Sequence, residues 1–301
     1  MYIMKKNILY SLLISTVATV GLSSCDAFLE ENPKDQITEE QAYQNSTLLY
    51  LNTVASLYTQ VGANGGGSGL QGTDRGLYDL NTFTTDEAVL PTRGGDWYDG
   101  GLWQDVFLHK WGTKNDLVKG SWDYLYRVIA QANKSLDKLN EILAKDPENT
   151  SVPKYISEVR AFRALYYYYL LDMFARVPLV TSSTTAMADV EQSERSVVFT
   201  FVKTELEESV ADLSDAHSNL PGEYYGRITK PVAYFLMPKF IQTIIGLTVQ
   251  SPMGKLSSLL WMEQKKMLGK LQLLMVLRLK SWAISWPITL LPTSLRKMKL
   301  Q

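Results

Sequence analysis

The chain has 301 residues, 46% of them hydrophobic, and a formal net charge of -1, enough material for one large domain or two small ones with an ample core. Its single cysteine, Cys25, rules out an intramolecular disulfide. Only two histidines are present, His109 and His217, far apart and with no second histidine at helical spacing, so no zinc site is expected, nor any cofactor or nucleic-acid partner.

The N-terminal stretch carries Lys5 and Lys6, an apolar run over residues 8–20, and Leu22-Ser23-Ser24 just before Cys25. This is the pattern of a secretory signal. The run is too short to span a bilayer, which takes ~20 apolar residues. The cysteine after Leu-Ser-Ser resembles a bacterial lipobox, in which the thiol is diacylated and becomes the first mature residue. Two or three acyl chains, at ~0.8 kcal/mol per buried CH₂, hold a protein to a membrane stably, so residues 1–24 are expected to be removed and Cys25 to carry the anchor. Asp26, Glu30, Glu31 and Asp35 follow as an acidic collar, which reads either as a surface-export signal or as a solvated linker.

Thr38-Glu39-Glu40-Gln41 has the form of a capping box and predicts a helix start. Leu48, Leu51, Ala55 and Tyr58, at spacings of three and four, form the expected buried face of that helix, which ends near Val61. Residues 62–76, rich in glycine and serine, read as loop; no Lys-Ser/Thr closes a phosphate-cradle pattern there. Over residues 77–112 short apolar pieces alternate with turns among Phe83, Trp97, Tyr98, Trp103, Phe107 and Trp111. Trp122, Leu125, Ile129, Ala132, Leu136, Leu139 and Leu143 then form an amphipathic stripe. It stops at Asp146-Pro147, because proline disfavours helix in the residue before it. Ser151 and Pro153 suit a helix N-terminus, and Val159, Phe162, Tyr166, Tyr169 and Met173 carry a second helix to Phe174. Val198, Val202, Leu206, Val210 and Leu213 mark a third over residues 196–213. Consecutive amphipathic helices on short links favour antiparallel pairs, the unit of tetratricopeptide-type solenoids, although no consensus repeat is visible.

Three passages, in this order, resemble one family. The first is Cys25-Asp-Ala-Phe-Leu-Glu-Glu-Asn-Pro33 with Ile37-Thr-Glu-Glu-Gln-Ala-Tyr43. The second comprises Thr85-Asp-Glu87, Arg93-Gly-Gly-Asp-Trp97, Gly100-Gly-Leu-Trp103 and Trp122-Asp-Tyr-Leu-Tyr-Arg-Val-Ile-Ala-Gln-Ala-Asn133. The third is Glu158-Val-Arg-Ala-Phe-Arg-Ala-Leu-Tyr-Tyr-Tyr-Tyr169 through Phe174-Ala-Arg-Val-Pro-Leu-Val180. Over residues 25–237 the chain resembles the SusD-like (RagB/SusD) outer-membrane lipoproteins. The resemblance implies an all-α fold of tetratricopeptide-like helical pairs with long loops, and a non-enzymatic role. Such proteins cover a SusC-like TonB-dependent transporter and deliver oligosaccharides, or in some members peptides, to it. Members are considerably longer than this chain. The same helices also suit a periplasmic repeat scaffold that binds peptides or assembly partners.

The resemblance and the composition break together near Pro238. Before it acidic residues outnumber basic ones; from Lys239 onward ten basic residues face Glu263 alone. The expected division is therefore a signal over 1–24, an incomplete SusD-like helical domain over 25–237, and a basic tail over 238–301 that is out of frame or otherwise aberrant. Residues 268–291 are apolar enough to invite a membrane-span reading, but Lys270, Arg278 and Lys280 would each cost ~2.5–3.5 kcal/mol near its centre.

For chemistry, no Gly-x-Ser-x-Gly elbow is present. Asp86 and Glu87 are adjacent, whereas a glycosidase needs two carboxyl groups facing one sugar, and neighbours in extended chain point apart. The aromatic segment carries the functional expectation. Sugar rings present flat C–H faces bordered by hydroxyls, so a site needs exposed Trp or Tyr planes beside groups that hydrogen-bond. Asp96, Trp97, Tyr98 and Asp99 on a glycine-flanked loop have these types, and Trp103 and Trp111 are the further candidates. The run Tyr166 to Tyr169 covers all sides of a helix and implies burial; Arg93, Arg160 and Arg163 read as structural ion partners.

Overall fold

The computed structural model describes residues 39–62, 69–70 and 75–249, and the chain divides into two units, residues 1–48 and 49–301. Cys25, Thr38 and residues 250–301 lie outside the described residues. The helix expected from residue 38 is interrupted. Helix α1 (Glu39–Ala42) stops, and α2 (Ser46–Tyr50) restarts where Asn45 Oδ1 accepts the Leu48 N–H at 2.9 Å, an asparagine N-cap.

In the second unit a π-helical turn, Leu51–Ala55, precedes α3 (Ser56–Gly62), and the Ser56 N–H reaches back to the Leu51 carbonyl. The wider turn rotates the face that meets the core. Leu49, Thr53, Val54 and Leu57 are buried, and Leu51, expected inside, is exposed. The stretch expected as turns holds α4 (Leu77–Phe83), a 3₁₀ turn (Asp99–Gly101) and α5 (Leu102–Phe107).

Three long helices follow. Asn115 Oδ1 accepts from the N–H groups of Leu117 and Val118 and starts α6 (Asp116–Lys145). Asn149 Oδ1 accepts from Ser151 and Val152, both at 3.1 Å, at the start of α7 (Val152–Phe174), with proline in its first turn. Arg195–Ser209 forms α8. The predicted stripe of α6 is buried at Leu125, Ile129, Ala132, Leu136 and Leu139, and Tyr166, Tyr167 and Tyr168 are buried as expected.

The pairing is antiparallel, as side-chain partners run in opposite senses along neighbouring helices. Trp122 meets Phe174, Tyr124 meets Tyr166, and Asn133 meets Arg163. On the other face of α7, Arg160 meets Glu205 and Tyr167 meets Phe201.

Several buried polar groups at these seams are paired, as their cost requires, although Ser121 Oγ on α6 and Arg195 Nε on α8 find no partner among the described residues. Tyr124 donates its hydroxyl proton to the Gln60 carbonyl and accepts from Tyr166, each at 2.8 Å; burial pushes the Tyr124 hydroxyl up to about 12. Glu158 accepts from Tyr58 at 2.6 Å and from Arg227 Nη2 at 2.6 Å, while Tyr58 accepts the Ile228 N–H. Burial first, and then the Glu158 charge, raises the Tyr58 pKa. Arg160 and Arg163 are ion partners in the α7–α8 seam, whereas Arg93 is exposed and contributes backbone to a turn.

After α7 the chain forms β1 (Val177–Pro178), antiparallel to β2 (Gln192–Ser193). The Val180 N–H donates to Tyr167 Oη, and the Val180 carbonyl accepts from that hydroxyl and from Asn133. Last, α9 (Lys230–Val249) runs through Pro238. Phe240, beyond the anticipated composition break, stacks on Phe199 with centroids 4.6 Å apart and meets Tyr168 edge-on. Among the described residues no helix is long and apolar enough to cross a membrane.

Candidate functional site

The segment between α4 and α5 carries Asp96, Trp97, Tyr98 and Asp99 of the candidate ligand residues, while Trp103 lies in α5 and Trp111 just beyond it. Arg93 and Asp96 exchange backbone hydrogen bonds at 3.0 Å in both directions, closing a tight turn in which Gly94 takes the left-handed conformation (φ 62). The chain then reverses again. Trp97 (φ 60), Asp99 (φ 43), Gly100 (φ 67) and Gly101 (φ 89) all lie at positive φ. For Trp97 and Asp99 that conformation costs roughly 1–2 kcal/mol each, so neighbouring structure must hold it.

The support comes from below. Trp103, 2% exposed, is packed with Leu80, Val106 and Leu117, and Phe83 meets its ring edge-on at 5.4 Å. Its indole Nε1–H donates to Asp99 Oδ2 at 2.8 Å. Arg75 Nη2 reaches the same oxygen at 3.0 Å from the chain just before α4. Trp97 lies against Trp103, centroids 6.0 Å apart at 66°, and the Gly101 N–H donates to the Tyr98 carbonyl at 2.7 Å. Trp97 remains 41% exposed and Tyr98 57% exposed, and Asp96 is exposed beside them. The loop thus offers two ring faces and a carboxylate to solvent. Trp103, taken with them as a ligand candidate from the sequence, is a buried brace with no ring face for solvent.

Arg75 escaped sequence reasoning, and Asp99, read as part of the loop, was not seen as the group that ties it to Trp103. Asp99 and Trp103 are four apart across a helix start, a spacing that brings side chains together and could have marked the pair; nothing local marks Arg75. The Trp103 N–H first, then Arg75, holds the Asp99 carboxyl below its ordinary 3.8. A depressed pKa means the contact contributes at pH values above 3.8 and is lost as pH falls through the lowered value. Replacing Asp99 with leucine leaves the buried Trp103 N–H without its acceptor and loosens the loop. A lower melting midpoint with a weakened near-ultraviolet tryptophan signal is expected at pH 7; an unchanged midpoint and spectrum would mean that Asp99 does not hold the loop.

A family model described as SusD-like, starch-binding associating with outer membrane, matches residues 27–241. The chain belongs to the SusD-like family. A SusD-like protein of Formosa agariphila is 24% identical over 221 residues, covering 71% of this chain and 38% of that protein. A SusD-like protein of Bacteroides ovatus is 22% identical over 209 residues, covering 68% and 35% respectively. This chain therefore spans well under half the length of the SusD-like relatives it matches. Among solved structures, a laminarin-binding SusD-like protein superposes with a TM-score of 0.52 at 24% identity over 67% of this chain and 42% of that one. A SusD-like protein from Bacteroides fragilis does so with a TM-score of 0.52 at 16% identity over 72% of this chain and 40% of that one. These superpositions establish the all-α, tetratricopeptide-like SusD fold. The family is one of binding proteins.

Proposed function

We propose that this protein captures glycan at the bacterial surface. In this reading acylated Cys25 tethers it to the outer leaflet, and it passes oligosaccharide to a SusC-like TonB-dependent transporter. The observation that carries the reading is the braced loop at Asp96, Trp97 and Tyr98, whose ring faces are open to solvent and suit the C–H faces of pyranose rings. The family description of starch binding and outer-membrane association supports the ligand class and the location. The ligand class is supported also by the laminarin-binding neighbour and by the surface glycan-binding protein A of Bacteroides fluxus, which superposes with a TM-score of 0.52 at 15% identity.

Two measurements test the proposal. Protease applied to intact cells should remove the protein; survival until the outer membrane is permeabilised would place it in the periplasm and leave the scaffold reading standing. Laminarihexaose and maltoheptaose are the first probes of ligand class. Two rings grip only part of an oligosaccharide, so affinity of about millimolar strength, roughly -4 kcal/mol, is expected for at least one member of a panel built around them. No binding anywhere in that panel would end the glycan reading.

A further inference from the structure

A second exposed indole lies at the far end of α5 and is braced by different means. That helix ends in a six-to-one backbone pattern: the Lys110 N–H donates to the Asp105 carbonyl at 2.8 Å, and the His109 N–H to the Val106 carbonyl at 3.2 Å. The residue in the left-handed position of such an ending is usually glycine. Here it is His109, at φ 56, and its side chain has work that glycine could not do. His109 Nε2–H donates to the Thr84 carbonyl at 2.8 Å, at the end of α4, and the imidazole meets Trp111 edge-on, centroids 5.2 Å apart at 71°. Thr84 adjoins Phe83, which backs Trp103 and through it Trp97. One short helix end therefore steadies two separate solvent-facing indoles.

The surroundings of Trp111 differ in charge from those of Trp97. Trp97 lies between Asp96 and Asp99, whereas Trp111, 39% exposed, is preceded by Lys110 and followed three residues later by Lys114. Both lysines are exposed, and neither forms an ion pair among the described residues. An exposed indole with two exposed lysines within three residues of it in sequence suits a ring with an apolar face and an anionic substituent. We infer that Trp111, with Lys110 and Lys114, forms a second ring-stacking station that takes a sugar bearing an anionic group, a carboxylate or a sulfate ester. The inference rests on the glycan-capture reading and adds a second contact point and a charge preference to it.

The test uses fluorine NMR of the protein labelled with 5-fluorotryptophan, the Trp97 and Trp111 resonances being assigned by Trp97→Phe and Trp111→Phe. The probes are hexagalacturonate for the carboxylate arm, a sulfated galactan hexasaccharide for the sulfate arm, and neutral laminarihexaose. At least one anionic probe is expected to move the Trp111 resonance at concentrations where laminarihexaose leaves it in place. Raising NaCl from 0.1 to 1 M shortens the screening length from ~10 to ~3 Å and should weaken that response. The Lys110→Gln, Lys114→Gln double variant should weaken it at least threefold; both side chains are exposed, so the fold is unaffected. A Trp111 resonance that neither anionic probe moves, or that laminarihexaose moves equally, overturns the inference. Failure of the broader reading would look different: Trp97 unmoved by every oligosaccharide.

Discussion

Glu205→Leu is expected to destabilise the protein by about 3–5 kcal/mol, the cost of leaving a buried charge without its partner. Glu205 lies in the α7–α8 seam and receives two arginines. Its Oε1 accepts from Arg160 Nε at 2.8 Å, and its Oε2 accepts from Arg163 Nε at 3.0 Å and Nη2 at 2.6 Å. Arg163 also donates to Asn133 Oδ1 on α6 and to the Thr181 carbonyl. One guanidinium thus joins three helices and the following loop, and it is buried along with its carboxylate. Arg160 is partly exposed and retains Glu208, so Arg163 takes most of the loss. For a domain of this size the fall corresponds to roughly 6–20 °C in melting midpoint, measurable by calorimetry. Arg160→Leu should cost distinctly less, because Glu205 keeps Arg163. Equal losses in the two variants would show that the seam is not organised around Arg163.

Trp97→Gly should separate binding from folding. Glycine relieves about 1–2 kcal/mol of left-handed strain, which offsets the lost aromatic contact with Trp103, worth about 0.5–1.5 kcal/mol. Stability should therefore stay within about 1 kcal/mol of the parent. Affinity for the best glycan of the panel should drop at least tenfold, about 1.4 kcal/mol, because the larger of the two exposed ring faces is gone. Titration of parent and variant, with melting curves of both, reads the two effects independently. Undiminished binding by a folded Trp97→Gly variant would remove the loop from the proposed role.

The long helices were legible because their stripes repeat over enough turns for periodicity to be unambiguous. Leu125, Ile129, Leu136 and Leu139 are buried as their spacing predicts, and Asp146-Pro147 ends α6 where proline chemistry requires. Short helices were not. Leu77–Phe83 and Leu102–Phe107 are about two turns each, too few for a three-and-four pattern to stand out from alternating apolar pieces. Leu51 was misplaced because a π-turn changes the angle between residues without changing composition. The candidate loop was legible in residue type but not in depth. Trp103 has the same chemistry as Trp97, and only Phe83, Leu80 and Leu117, remote in sequence, make it a brace. The Arg75–Asp99 contact spans 24 positions and exists only once α4 and α5 have met.

Four positive φ values between Trp97 and Gly101 bear on how a sugar would be caught. A segment with such torsions has few alternative shapes that keep its indole on Trp103, so its conformational entropy is surrendered when the chain folds and not again at encounter. Capture at this lip is then a collision between two finished surfaces, and selectivity falls to the outline of the rings instead of to any closing motion.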